Sequence, residues 1–222
     1  MRNWIKANRG FVAFLLLLGI FRTAIADWNP IPSGSMRPTL LEGDVVLVNR
    51  LAYDLKIPLT DTILAHIAEP RRGDIVTFFS PQTGTRLIKR LVALPGDTVE
   101  MRKDTLFVNG KAATYSDPEW LREPDSRGGT APAIRLTEAA GASHRRIQFL
   151  EGVSAMRSFG PVTIPAGTYL MLGDNRDASG DSRYFGFVPR NLIIGRAHHI
   201  LASADIDGDW MPRLARFGRT LE

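Results

Sequence analysis

Cysteine is absent from the 222 residues, which excludes disulfide staples, thiolate metal sites and thiol nucleophiles. Histidine occurs only four times. No H-E-x-x-H pair is present, and His198 and His199 are neighbours, so on a strand they face opposite ways. There is no G-x-S-x-G elbow, and no serine is followed three residues later by lysine. The usual α/β-hydrolase and β-lactamase arrangements are thereby removed. Asp205-Ile206-Asp207-Gly208-Asp209 imitates a calcium loop, but its glycine stands one position before the last aspartate; it reads as a surface turn. No metal or other cofactor is expected. A basic face is lacking as well. The net charge of +5 comes wholly from the two ends, Arg2, Lys6, Arg9 and Arg22 against Asp27, and Arg213, Arg216 and Arg219 against Glu222. Residues 28–210 are balanced, so nucleic acid is not an expected partner.

Long apolar runs are scarce too. Phe11 to Phe21 is uninterrupted except by Gly19, has basic residues before it, and ends at Arg22. That is short of the roughly 20 residues a spanning helix needs. Two readings fit: a secretory signal with the small-x-small end Ala24-Ile25-Ala26, or a retained anchor whose Arg22 snorkels outward. Trp4 and Trp28 are 24 positions apart, roughly 36 Å on a helix, about the separation of the two membrane interfaces. This favours the anchor. Either way the basic N-terminus stays in the cytoplasm and the remainder is exported.

What the chain does have is strand signals. Asp44–Val48, Asp74–Phe79, Leu87–Leu94 and Thr105–Val108 are short β-branched or aromatic runs bounded by Gly-Asp, Pro-Gly and Asn-Gly. Residues 51–66 read as a loop or short helix. Residues 115–146 are polar, rich in Gly, Pro and Arg, and lack a sustained period, so they read as loops or an embellishment. The strand pattern resumes at Val162 and again at Tyr169. These features give a mainly β fold in which residues 28–97 and 166–222 form one core, 98–165 an inserted smaller β unit with loops, and 1–27 the cytoplasmic end and anchor.

Three segments carry polar groups that strands and turns do not require. Ile31-Pro32-Ser33-Gly34-Ser35-Met36-Arg37-Pro38-Thr39-Leu40 places two serines around a glycine between prolines; its plain alternative is a linker. In Arg86-Leu87-Ile88-Lys89-Arg90-Leu91-Val92, period two puts Lys89 with Leu87 and Leu91, and Arg90 with Ile88 and Val92. One of these cations must lie along an apolar surface. The alternatives are a snorkelling edge lysine and a desolvated one able to act as a base. Gly173-Asp174-Asn175-Arg176-Asp177-Ala178-Ser179-Gly180-Asp181-Ser182-Arg183 is either a solvated loop or a buried, hydrogen-bonded turn.

Together the three segments resemble the bacterial type I signal peptidases. The S-x-S-M-x-P-T-L box matches Ser33–Leu40, K-R-x-x-x-L-P-G-D matches Lys89–Asp97, and G-D-N-R-D-x-S-x-D-S-R matches Gly173–Arg183. Ala93, Ala178 and Phe185 depart from the pattern beside the reactive positions, not at them. The resemblance implies an antiparallel, barrel-like catalytic sheet with an inserted subdomain and one N-terminal transmembrane helix. It implies Ser35 as nucleophile, Lys89 as general base, and Ser33 with the Ser35 N–H as the oxyanion hole. Ser179 would orient the lysine, and Asp181 with Arg183 would support the loop. Ile31, Pro32, Met36, Leu40, Leu87 and Ile88 would contact substrate. The implied activity is removal of signal peptides after small-x-small motifs by a monomer in the cytoplasmic membrane, its catalytic part facing outward; the partners are secretory preproteins and the lipid bilayer. A processing protease serving one secretion or conjugation system is an alternative reading. A tethered β adaptor, in which Ser33, Ser35 and Lys89 are ordinary structure, is another.

Overall fold

The computed structural model describes residues 4, 7–60, 62–124, 129–141 and 143–221; Arg2 and Lys6 of the basic N-terminus lie outside the described residues. Helix α1 (Arg9–Ala24) holds the apolar run, and of its residues only Ala24 is buried. Phe14, Leu16 and Leu17 are each more than half exposed. Among the described residues no helix is long and apolar enough to cross a membrane. Trp28 is not on α1. It lies on strand β1 (Ala26–Pro30), with the Arg22 guanidinium 4.5 Å above its ring. The two tryptophans therefore do not mark the ends of one helix, as their spacing suggests. Asp27 explains the turn-off: its carboxylate accepts from Arg22 Nε at 2.7 Å and from Arg86 at 2.8 Å, drawing the chain onto the sheet. The sheet thus starts at Ala26, two residues before the boundary read at 27/28.

Beyond β1 come β2 (Asp44–Asn49), the hairpin β3 (Asp54–Lys56) and β4 (Ile63–His66), β5 (Ile75–Phe79) and β6 (Arg86–Ala93). A one-turn 3-10 helix (Arg50–Ala52) and this hairpin replace the loop or helix expected over 51–66. Next are β7 (Thr98–Arg102), β8 (Thr105–Val108), β9 (Lys111–Ala112), β10 (Thr114–Pro124), β11 (Thr130–Ala140) and β12 (Ser143–Leu150). The chain finishes with β13 (Phe159–Thr163), β14 (Thr168–Leu172), the short α2 (Ser182–Phe185), β15 (Val188–Pro189) and β16 (Ile193–Ser203). The fold is mainly β, as the turn-bounded runs predict. A seven-stranded antiparallel sheet in the order β1-β2-β16-β5-β6-β14-β15 is its centre.

Alternation decides which way each strand faces. Val46, Val48 and Ile75 pack with Ile31, Met36 and Leu40 on one side. Val76, Phe78 and Leu91 pack with Tyr53, Tyr169 and Met171 on the other. Each of these fully buried side chains contributes about 1.5–3 kcal/mol relative to exposure. Apolar side chains cover both faces at the sheet centre, so both cations of β6 are inside: Lys89 is 3% and Arg90 1% exposed. The alternation rule foresees only one of the two against apolar surface.

Residues 114–150 correct the expectation of loops, for β10, β11 and β12 form a three-stranded antiparallel sheet. Its inward positions are held by Ala131, Ala133, Ala140, Ile147 and Leu150, and also by Glu123, Glu138 and Arg145. Small and charged residues therefore carry the period. Cross-strand partners such as Glu138 opposite Arg145 and Glu119 opposite Arg135 complete the pairing. Burial would push the Glu138 carboxyl up, but Arg176 and Arg145 hold it down at about 2, so it is ionised.

Candidate active site

Ser35 lies in a 3-10 turn, Gly34–Met36. Met36 drops into the core below it at zero exposure, which fixes the turn to the sheet. Lys89 is on β6, and its Nζ stands 2.6 Å from Ser35 Oγ across 54 positions of sequence. Both groups are buried, Ser35 at 9% exposure. Burial is the chief cause that brings the lysine down to about 8; Asp181 and Asp174 pull the other way, and Arg183 assists the fall. The protein's own packing around Lys89 supplies this burial. Such an amine is neutral in a useful fraction of molecules near neutral pH and can take a hydroxyl proton.

The loop after β14 encloses the pair. Asp181 and Arg183 form an ion pair at 2.8 Å with side chains almost fully buried, and Asp181 also accepts the Gly173 N–H at 3.0 Å. Asp174 takes a two-pronged bond from Arg90, at 2.9 and 2.8 Å. Gly173 admits no side chain, because a Cβ there would stand 2.2 Å from Ser179 Oγ and 2.5 Å from the Ser35 carbonyl oxygen.

Ser33 is exposed, with its Oγ 3.5 Å from that of Ser35. Ser179 differs from the expectation. Its Oγ is buried beside Gly173 and has no hydrogen-bond partner among the described residues, so it does not hold the Lys89 amine in this arrangement. Met36 and Leu40 also need correction, since both have zero exposure and a substrate cannot touch them. Their large apolar side chains fill the core beneath the turn. Ile31 is 3% exposed, Leu87 and Ile88 are half-buried, and Pro32 is exposed.

Asn175 is a site residue that the motif reading left without a role. Its backbone N–H donates to the Ser35 carbonyl at 3.1 Å, and its Nδ2 donates to the Gly34 carbonyl at 3.0 Å. An asparagine between two charged residues in a Gly-Asp turn was the available signal. Arg37 was also missed. It bridges Glu42 at 2.7 Å and Glu123 of β10 at 2.6 Å. Nothing in sequence marks a partner so distant.

Beside Lys89 the sheet is open. Strand β14 pairs with β6 only over Arg90–Ala93, whereas β5 pairs along all of Arg86–Arg90. Among the described residues, the Arg86–Lys89 half of β6 therefore has one edge unpaired by any strand, next to the dyad. Two cavities of 660 and 620 Å³ lie elsewhere, lined in common by Arg90, His144 and Leu221 and by neither Ser35 nor Lys89. The reactive pair lies instead beside the open edge of β6.

A buried hydroxyl against a desolvated amine, on a mainly antiparallel β scaffold, has the make-up of a serine peptidase that works without histidine. The family model described as signal peptidase, peptidase S26, matches residues 1–202. The signal peptidase I of Pseudomonas aeruginosa is 35% identical, over 96% of this chain and 78% of that protein. The signal peptidase I of Pseudomonas fluorescens is 34% identical, over 90% of this chain and 72% of its own length. A solved signal peptidase I from Enterococcus faecalis is 36% identical, covering 59% of this chain and 97% of its own, with a TM-score of 0.36. The chain belongs to the signal peptidase, peptidase S26, family and is a serine endopeptidase.

Proposed function

We propose that Ser35 and Lys89 are the nucleophile and general base with which this endopeptidase removes signal peptides from exported preproteins. The single observation that carries the assignment is the 2.6 Å separation of a buried amine and a buried hydroxyl. As Ser35 Oγ attacks the scissile carbonyl, neutral Lys89 takes its proton. The oxyanion forms against the Ser35 N–H and the Ser33 hydroxyl, a contact worth several kcal/mol only in the transition state (about 3–4 for one donor). The lysine ammonium then protonates the leaving amine. A water, deprotonated by the same lysine, releases the acyl group. Asp181 with Arg183 keeps the loop in place.

The preprotein docks as an extended strand along the free Arg86–Lys89 edge, where backbone groups supply affinity and side-chain room supplies choice. Ile31, Pro32, Leu87 and Ile88 line the shallow places for small side chains, with Met36 and Leu40 shaping them from behind. A preprotein with alanine at the first and third positions before the cut should be cleaved. Tryptophan at either position should lower kcat/KM by roughly 100-fold. Equal cleavage of all three would sink the docking scheme.

Residues 1–25 serve as a single-pass anchor with the catalytic part on the outer face of the cytoplasmic membrane, and the enzyme works as a monomer. In support, α1 turns aliphatic and aromatic side chains outward. Next to it, Leu55, Ile57, Leu59, Leu64 and Ile67 of the β3–β4 hairpin are exposed, and the Leu59 N–H bonds Thr23 Oγ1 of α1 at 3.0 Å. Residues 26–97 with 166–222 act as the catalytic unit, and 98–165 as its insert. Ala24-Ile25-Ala26 is not a cleavage site in this reading, since Ala24 is buried and Ala26 is paired with Asn49. The full chain should stay with the membrane pellet after alkaline extraction and retain these three residues on N-terminal sequencing. A mature protein starting at Asp27 would contradict the anchor.

A further inference from the structure

Residues 174–176 form a joint between three parts of the molecule. Asp174 holds Arg90, the residue next to Lys89. Asn175 holds the carbonyls of Gly34 and Ser35. Arg176 turns away from both and enters the inserted sheet, where its two Nη atoms donate to the Glu138 carboxylate at 2.7 and 2.6 Å. Glu138 has zero exposure and Arg176 1%. The carboxylate is in turn fixed by Arg145 Nε at 2.7 Å and by the Tyr115 hydroxyl at 3.0 Å. Backbone bonds add to the same joint, from Gln148 N–H to the Asp174 carbonyl and from Arg176 N–H to the Gln148 carbonyl, both 2.9 Å.

We infer that Glu138, which lies outside all three motif segments, is a positioning residue for the reaction: through Arg176 it sets where Asn175 holds the Ser35 turn relative to Lys89. A planar guanidinium gripped at both ends cannot slide or rotate without breaking bonds, so its backbone is located sharply. Asn175 is the next residue along, and its amide reaches the carbonyl of the nucleophile itself. A shift of the joint changes the hydroxyl-to-amine separation directly. Proton transfer is sensitive to displacements well below 1 Å, while groove binding along β6 is not. The inserted sheet thereby gains a catalytic purpose. The inference rests on the Ser35–Lys89 reading.

The test is steady-state cleavage of a labelled preprotein by the full chain and by Glu138→Gln, which keeps the shape but not the charge. At a temperature where circular dichroism shows both folded, kcat should fall about 10- to 100-fold. KM should stay within about twofold and the acid-limb midpoint should not move, because Lys89 remains as buried as before. A folded Glu138→Gln enzyme with unchanged kcat overturns the inference. If that variant does not fold, the combined Glu138→Leu, Arg145→Met and Arg176→Met variant replaces the charged cluster with apolar groups of similar size, a change that often preserves stability. Slow turnover at wild-type melting temperature supports positioning; wild-type turnover refutes it. Ser35→Ala run alongside separates the two readings, since retained cleavage there would count against the dyad and not against Glu138.

Discussion

Ser35→Ala and Lys89→Ala should each reduce preprotein cleavage by about 10⁴-fold or more, with the double variant scarcely worse than either. The hydroxyl and the amine act as one unit, so removing the second after the first removes nothing further. What survives is the contribution of groove binding and of the oxyanion donors. Neither change should unfold the chain. Ser35 Oγ contacts Lys89 and Ser33 but supports no strand, and the turn is kept in place by Met36 below and by Asn175 on its carbonyls. Gel-resolved cleavage of one labelled preprotein, with circular dichroism of the same samples, reads both effects. A folded Ser35→Ala protein that still cuts would remove the nucleophile from the scheme. An additive double variant would show that Lys89 works independently of Ser35.

The second large effect runs in the opposite direction, toward stability. Lys89 titrates near 8 in the folded chain, with burial the main cause, against 10.5 for the free side chain. A lysine whose folded value is depressed opposes folding wherever the unfolded chain would bind that proton. The penalty is fully present below the folded value and disappears as pH rises from 8 to 10.5. At pH 7 it amounts to about 3 kcal/mol. Lys89→Met fills similar space without a charge and should raise unfolding stability by about that amount at pH 7. The two proteins should converge above pH 10.5. Denaturant titrations at both pH values measure the difference, which also cancels every other titrating group. In the unsubstituted enzyme the acid limb of kcat/KM should have its midpoint at about 8, since the protonated amine cannot accept from Ser35. A limb near 10 together with no stability gain would mean that the amine is hydrated.

Much of the centre of this molecule is readable along the chain. Gly-Asp and Pro-Gly turns mark the ends of β2, β5 and β6, and alternation assigns their faces. The Ser33–Leu40, Lys89–Asp97 and Gly173–Arg183 boxes give the family and with it the candidate dyad. What is hidden depends on partners far apart in sequence. Arg37 meets Glu123 and Arg176 meets Glu138 only after β10 and β11 have paired, and their charges look like solvated surface until then. The strands over 114–150 escape notice for the same reason: Ala133, Glu138 and Arg145 carry their inward period where larger apolar residues usually do. The Trp4–Trp28 spacing misleads because a helix length says nothing about where a helix stops. Asp27, reaching for Arg22 and Arg86, stops this one.

One feature of that junction governs how the groove is aimed. Only Ile25 separates α1 from β1, and it is tied on both sides, donating to the Phe21 carbonyl at 2.9 Å and accepting from the Arg50 N–H at 3.0 Å. Helix and sheet have no swivel between them, so the cutting edge keeps a constant height and heading relative to the helix axis. With α1 held in the bilayer as proposed, scissile bonds would then be sorted by how far their own hydrophobic segment lets them reach, before any side chain is read.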